Sequence, residues 1–82
     1  MRFTLLWHPD ADHESTEIWL RALDRAAVTE AASRIEQLLT MSADTVGEEF
    51  YGDRLLVVAP VSVTYTVSVP DRTVQILQIW HA

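Results

Sequence analysis

The sequence contains no cysteine and no lysine, only two glycines, and no apolar run near the length of a bilayer. Without cysteine there is no disulfide framework, no thiolate nucleophile and no thiolate metal centre. A reducing cytoplasm is the default compartment for such a chain. Crossing a membrane takes about 20 consecutive apolar residues. The opening stretch from Met1 to Trp7 falls far short of that, and His8-Pro9-Asp10 breaks it before it could serve as a secretory h-region. The expectation is a cytoplasmic protein with no membrane role.

The absence of lysine leaves arginine as the only base. Arg2, Arg21, Arg25, Arg34, Arg54 and Arg72 stand against 12 acidic residues, for a formal net charge of −6. Affinity for nucleic acid comes largely from neutralising phosphates, so this balance repels a phosphate backbone unless the arginines converge. Direct nucleic-acid binding is therefore not expected. At 82 residues, with 49% apolar and 22% charged side chains, residues 1–82 form one ordinary globular domain with one modest core.

The apolar positions set out the elements. Phe3, Leu5 and Trp7 alternate with Arg2, Thr4 and Leu6, the period of a short strand. Pro9 suits the first position of a helix, and Asp10, Asp12 and Glu14 favour its N-terminal end. A first helix is expected over about 9–22, with Trp19, Leu20 and Leu23 as core contacts. Asp24 is a fitting N-cap for a second helix over about 25–40, in which Val28, Ala31, Ala32, Ile35, Leu38 and Leu39 hold helical spacing. The alanines 26, 27, 31 and 32 allow the two helices to approach as a hairpin.

From Thr40 to Asp53 the pattern breaks, and Gly47 and Gly52 mark a loop. Leu55 to Ala59 is an apolar strand ended by Pro60. Val61, Val63, Tyr65, Val67 and Val69 then alternate strictly with Ser62, Thr64, Thr66 and Ser68. Pro70-Asp71-Arg72 forms a turn before a last strand over about 73–80. The order is βααβββ, an α+β fold with a helical hairpin packed on one face of a mainly antiparallel four-stranded sheet.

Two local clusters invite a functional reading. His8, Asp10, Asp12, His13 and Glu14 lie within seven residues, with His8 and Asp12 at i, i+4. His13 falls on another face, and the helix dipole already accounts for the acids, so no metal is expected. No cofactor is implied either. Trp7, Trp19 and Trp80 are packing residues in the first instance, and Trp80, next to the C-terminus, is also a candidate interface anchor. Tyr65, on the apolar face of its strand, belongs to the core.

Taken in order, several stretches resemble the RelE/ParE toxin superfamily of type II toxin-antitoxin systems, known also for plasmid stabilisation. They are Trp7-His8-Pro9-Asp10-Ala11, Arg34-Ile35-Glu36-Gln37-Leu38-Leu39, Gly47-Glu48, Gly52-Asp53-Arg54-Leu55, Pro60-Val61-Ser62-Val63-Thr64-Tyr65-Thr66-Val67 and Val74-Gln75-Ile76-Leu77-Gln78-Ile79-Trp80-His81. The resemblance implies a toxin that meets a cognate antitoxin. In the RelE branch it also implies ribosome-dependent cleavage of mRNA, which needs cations for the transition state and groups that move protons.

Ser62 stands where that branch places a catalytic arginine, and a hydroxyl cannot replace a guanidinium that clamps phosphate. The catalytic enzymes also continue into a basic tail, which has no counterpart after Ala82. What remains is Arg54 as phosphate clamp, His81 as acid, and Glu49 or Glu48 as base. Against this stands a plain alternative, in which Arg54 pairs with Asp53 or Glu49 and His81 decorates the chain end.

The row Ser62, Thr64, Thr66, with Arg72 and Trp80, is then either a partner-binding surface or the solvated side of the sheet. The leading expectation is a toxin-like protein that acts by binding proteins. Its partners would be an antitoxin and, in the manner of the ParE branch, DNA gyrase. The alternatives are a ribosome-directed endoribonuclease built on Arg54, His81 and Glu49, and a non-toxic binding module that forms a homodimer through its helices or a sheet edge.

Overall fold

The structure is a computed structural model that describes residues 2–81. Strand β1 (Thr4–Trp7) leads into α1 (Pro9–Arg21) and α2 (Arg25–Ser42). The chain then runs through β2 (Glu48–Phe50), β3 (Asp53–Val58), β4 (Val61–Ser68) and β5 (Thr73–His81). The strands form one sheet in the order β1-β5-β4-β3-β2, antiparallel throughout except for the parallel pair β1 and β5. Both helices lie on one face.

Pro9 and Asp24 take the helix-end positions the sequence predicts for them, and a further cap appears at His8. Pro9 occupies the first turn of α1, and His8 caps it, its Nδ1 accepting from the Asp10 amide at 3.2 Å. Asp24 caps α2 by accepting from the Ala27 amide at 3.0 Å. The α2 stripe Val28, Ala31, Ile35 and Leu39 is buried against Val61, Val63 and Tyr65 of β4 and Val74, Ile76 and Ile79 of β5. Burial of each such aliphatic side chain contributes about 1.5–3 kcal/mol, and this layer is the source of the domain's cohesion.

Two expectations need correction. The sheet has five strands, not four, because Glu48–Phe50 lies within the span read as a loop. Its hairpin to β3 turns on Tyr51 and Gly52, both at positive φ (50° and 89°). A two-residue turn of that hand favours Gly, Asn or Asp at both places, so Tyr51 conceals it in the sequence. Three residues are also too few to show alternation.

The second correction concerns α1, whose core contacts are Ala11 and Ile18, with Ala22 partly buried at its C-cap. Trp19, Leu20 and Leu23 are exposed. The seam facing the sheet follows the i, i+7, i+11 rows, which turns Trp19 toward α2. There its indole nitrogen donates to Thr29 Oγ1 at 3.1 Å, and the Arg25 guanidinium stacks 4.6 Å from its ring.

The segment after α2 is fastened to the sheet by Tyr65. Its ring is fully buried, as the sequence indicates, and its hydroxyl donates to the Val46 carbonyl at 2.8 Å, with the Ala43 carbonyl at 3.3 Å. Gly47 beside it has φ +77°, and an added Cβ would stand 2.7 Å from the Tyr65 hydroxyl and 2.8 Å from the Leu55 carbonyl oxygen. Only glycine fits there. Tyr65→Phe should lower the unfolding free energy by about 1–3 kcal/mol, and Gly47→Ala by a comparable amount or more. Urea denaturation reads both, and parental midpoints for the pair would contradict this role.

Candidate functional site

Strand pairing settles which face each candidate occupies. Along β3, Arg54, Leu56 and Val58 pair with Tyr65, Val63 and Val61 on the helix side. Asp53, Leu55 and Val57 alternate with them and so point to the open side, together with Ser62, Thr64 and Thr66 of β4. On β5, Val74, Ile76, Ile79 and His81 face the helices, whereas Gln75, Gln78 and Trp80 face out. The spacing slips between residues 76 and 79 because Leu77 is the extra residue of a β-bulge opposite Thr64 and Tyr65. Leu77 thereby joins Gln78 in a shallow cleft with His8, Asp10 and Asp53.

Arg54 is half-buried on the helix side and is already engaged. Its Nη2 donates to the Val46 carbonyl at 2.8 Å and the Gly47 carbonyl at 3.3 Å, and its Nε donates to Val46 at 3.3 Å. Neither Asp53 nor Glu49 forms the ion pair proposed for it. Asp53 points to the opposite face, and Glu49, the cross-strand partner of Arg54, is exposed. Each bond made by a guanidinium is charge-assisted, so this arginine acts as a clasp on the loop that Tyr65 also holds.

His81 lies elsewhere. It pairs with Val61 while Arg54 pairs with Tyr65, a separation of about 13 Å along β4 at the rise of an antiparallel strand. It is exposed and borders a groove at the helix-hairpin end of the molecule, beside Ala59 and Pro60. Glu48 pairs with Leu55 and faces the open side, away from Arg54. The structure thus places Glu49 across from Arg54 but does not bring His81 to them, and no acid–cation–base constellation forms.

The partner-binding candidates also divide. Ser62, Thr64 and Thr66 form a continuous row, and Trp80 pairs with Ser62 at one end. Arg72 sits in the β4–β5 turn at φ 53°, its carbonyl accepting from the Thr4 amide at 2.8 Å. That is about 20 Å along the strand from Ser62.

Two members of the row are covered within the domain itself, and Thr66 is half-buried. Ser62 is only 3% exposed and Thr64 only 1%. Their flanking pairs are Val57 and Trp80 for Ser62, and Leu55 and Gln78 for Thr64. With no second layer on this side, these taller neighbours do the covering. Thr64 Oγ1 and Gln78 Oε1 stand 3.5 Å apart.

The outermost surface of the open face is therefore Leu6, Val57 and Trp80, exposed and apolar, with Glu48 and Asp53 as the charges carried by β2 and β3. Arg54 is the only arginine within the strands, and by strand parity it faces the helices rather than the open side. The sequence hid this surface because Val57 sits in a plain apolar run and the Leu77 bulge leaves only the irregular spacing of Val74, Ile76 and Ile79. Among the described residues no cluster of three or more His, Asp or Glu side chains is arranged to hold a metal.

If Arg54 is a clasp and His81 a surface group, Arg54→Ala should cost about 1.5–3 kcal/mol of stability. His81→Ala should change it by less than about 0.5 kcal/mol. Thermal or urea unfolding distinguishes them, and an Arg54→Ala protein as stable as the parent would refute the clasp.

No protein-family model matches this sequence, and no curated protein matches it. Solved structures do. A chain of the RelBE2 toxin-antitoxin complex from Mycobacterium tuberculosis superposes with a TM-score of 0.81 at 15% identity, over 100% of both chains. A chain of the chromosomal ParDE toxin-antitoxin system from P. aeruginosa superposes with a TM-score of 0.68 at 22% identity, over 99% of this chain and 97% of that one. With βααββββ order, a helical hairpin on one face and a mixed five-stranded sheet, the chain shares its fold with these two chains of toxin-antitoxin systems.

Proposed function

We propose that this chain is the toxin-like member of a toxin-antitoxin pair and that it acts by binding proteins rather than by cleaving RNA. The observation that carries the reading is the character of the open sheet face. Ser62, at the position where the catalytic branch is expected to hold an arginine, is buried between Val57 and Trp80, and the sheet's outward charges are acidic. A phosphoryl transition state needs preorganised positive charge. This face offers carboxylates and apolar side chains instead.

Such a surface suits another protein. Leu6, Val57 and Trp80 present apolar area without lysine or arginine competing for solvent, and an exposed aromatic is a common anchor of protein interfaces. Both structural neighbours come from toxin-antitoxin assemblies, which favours an antitoxin as the first partner. Because the contact would be mainly apolar, moderate salt should weaken it little.

Co-expression with a cognate antitoxin should yield a stable complex. Val57→Asp, which alters a side chain 54% exposed, should weaken that complex by at least about tenfold, the effect of roughly 1.4 kcal/mol. Induction of the chain alone should leave ribosome-bound mRNA uncut. Cleavage abolished by a folded Arg54 or His81 variant would overturn the reading in favour of an endoribonuclease. Inhibition of purified DNA gyrase would identify the target as that of the ParE branch.

A further inference from the structure

Strand β1 covers only part of β5. It pairs with Thr73 to Ile76 and then turns into α1, with a last bond from the His8 amide to the Ile76 carbonyl at 2.9 Å. Among the described residues, β5 is therefore an edge on that side from Leu77 to His81. Residues of an antiparallel pair alternate between bonding the partner strand and pointing away from it. Ile76 points away from β4, and its partner there is Tyr65. Val63 and Val61 stand two and four residues along, at the same phase, and their partners are Ile79 and His81. The peptide N–H and C=O groups of Ile79 and His81 thus face the uncovered side. Ile79 is only 5% exposed, so these groups are nearly withdrawn from water, where peptide groups are ordinarily paired.

A slot of about 370 Å³ adjoins this edge, walled by Asp10, Ala11 and Glu14 of α1 and floored by Leu77 to Trp80 of β5. Peptide groups spaced along an edge are bonded by an added strand, whereas a helix has already spent its own peptide groups. The edge of β2 is guarded against such addition by its three-residue length and by the exposed Glu48 and Glu49. The uncovered part of β5 is longer and carries no Asp, Glu, Lys or Arg.

Charge on α1 chooses between a second copy and a foreign segment. The charged side chains that line the slot are Asp10 and Glu14; Arg21 meets Glu14 Oε1 at 3.1 Å from outside it, and His8 Nδ1 lies 3.7 Å from Asp10. A second copy that paired its own β5 edge here about a two-fold axis would set the same two acids against these. A segment that carries bases meets both favourably. Asp10 and Glu14 stand one helical turn apart, about 6 Å, close to the ~6.8 Å between alternate residues of a strand. We infer that this edge takes an extended peptide segment with arginine or lysine at alternate positions, which continues the place of β1 beside Leu77–His81 and sets its cations against Asp10 and Glu14. Its test needs no antitoxin, so it stands or falls separately from the toxin-antitoxin function.

Hydrogen exchange on the full chain, read amide by amide by NMR, tests this with the acetylated and amidated peptide Arg-Val-Arg-Val-Arg. At about 1 mM peptide the Ile79 and His81 amides should exchange at least twofold more slowly, the protection given by a half-filled millimolar site. Gln78 and Trp80, whose amides face β4, should stay unchanged. Glu-Val-Glu-Val-Glu should protect none of them. Asp10→Asn combined with Glu14→Gln should weaken binding of the arginine peptide about fivefold, with unchanged circular dichroism. Unslowed exchange at Ile79 in the presence of the arginine peptide overturns the inference, as does equal protection by the glutamate peptide. Protection of Ile79 that grows with the concentration of the parent alone assigns the edge to a second copy and overturns it too.

Discussion

The carbonyl of Val46 accepts at 2.8 Å from both the Tyr65 hydroxyl and the Arg54 guanidinium, and much of the molecule's geometry follows from that convergence. It ties the segment leaving α2 to β3 and β4 at one point. The register of the β2–β3 hairpin is thereby fixed against the central strand, and the helical layer is held over Val61 and Val63. A buried phenol with its proton unshared would be costly, and a hydrogen bond from a charged donor is stronger than a neutral one. Gly47 allows the approach, since its positive φ and missing Cβ leave the Tyr65 oxygen unobstructed.

That clasp has a consequence for chemistry. The arginine best placed by sequence to bind phosphate is spent on the fold's own backbone, on the side of the sheet opposite to the open face. The fold is shared with chains of toxin-antitoxin systems, while the outward surface is apolar and acidic. A scaffold of this kind can carry more than one activity, because the sheet and hairpin are held by the layer of Ile35, Leu39, Val63, Val74 and Ile76, none of which reaches solvent. The open face can change its charge without disturbing that layer.

Ser62 and Thr64 show how the two faces differ in tolerance. Both are nearly inaccessible although nothing packs above them, because small side chains on a central strand lie below the tops of Val57, Leu55, Gln78 and Trp80 on either side. A long cationic side chain at Ser62 would have to emerge between Val57 and Trp80. The neutral row is therefore continuous with the apolar surface beside it.

The sequence determined the helices, the cap at Asp24, the core stripe from Val28 to Leu39 and the strand of alternating valines, because each is written in local periodicity and capping chemistry. It also carried the resemblance of fold, through the order of those elements, and the negative charge that argues against phosphate. Three things were decided only in three dimensions. The strand at Glu48–Phe50 depends on a turn that seats Tyr51 at positive φ, and the outward turn of Trp19, Leu20 and Leu23 depends on which α1 seam meets the sheet. The fate of Arg54, Ser62 and His81 depends on strand register. A one-residue change of register exchanges the two faces of a strand, and the Leu77 bulge makes such a change in mid-strand. No local pattern could say which side chains would face a ligand and which would hold the fold together.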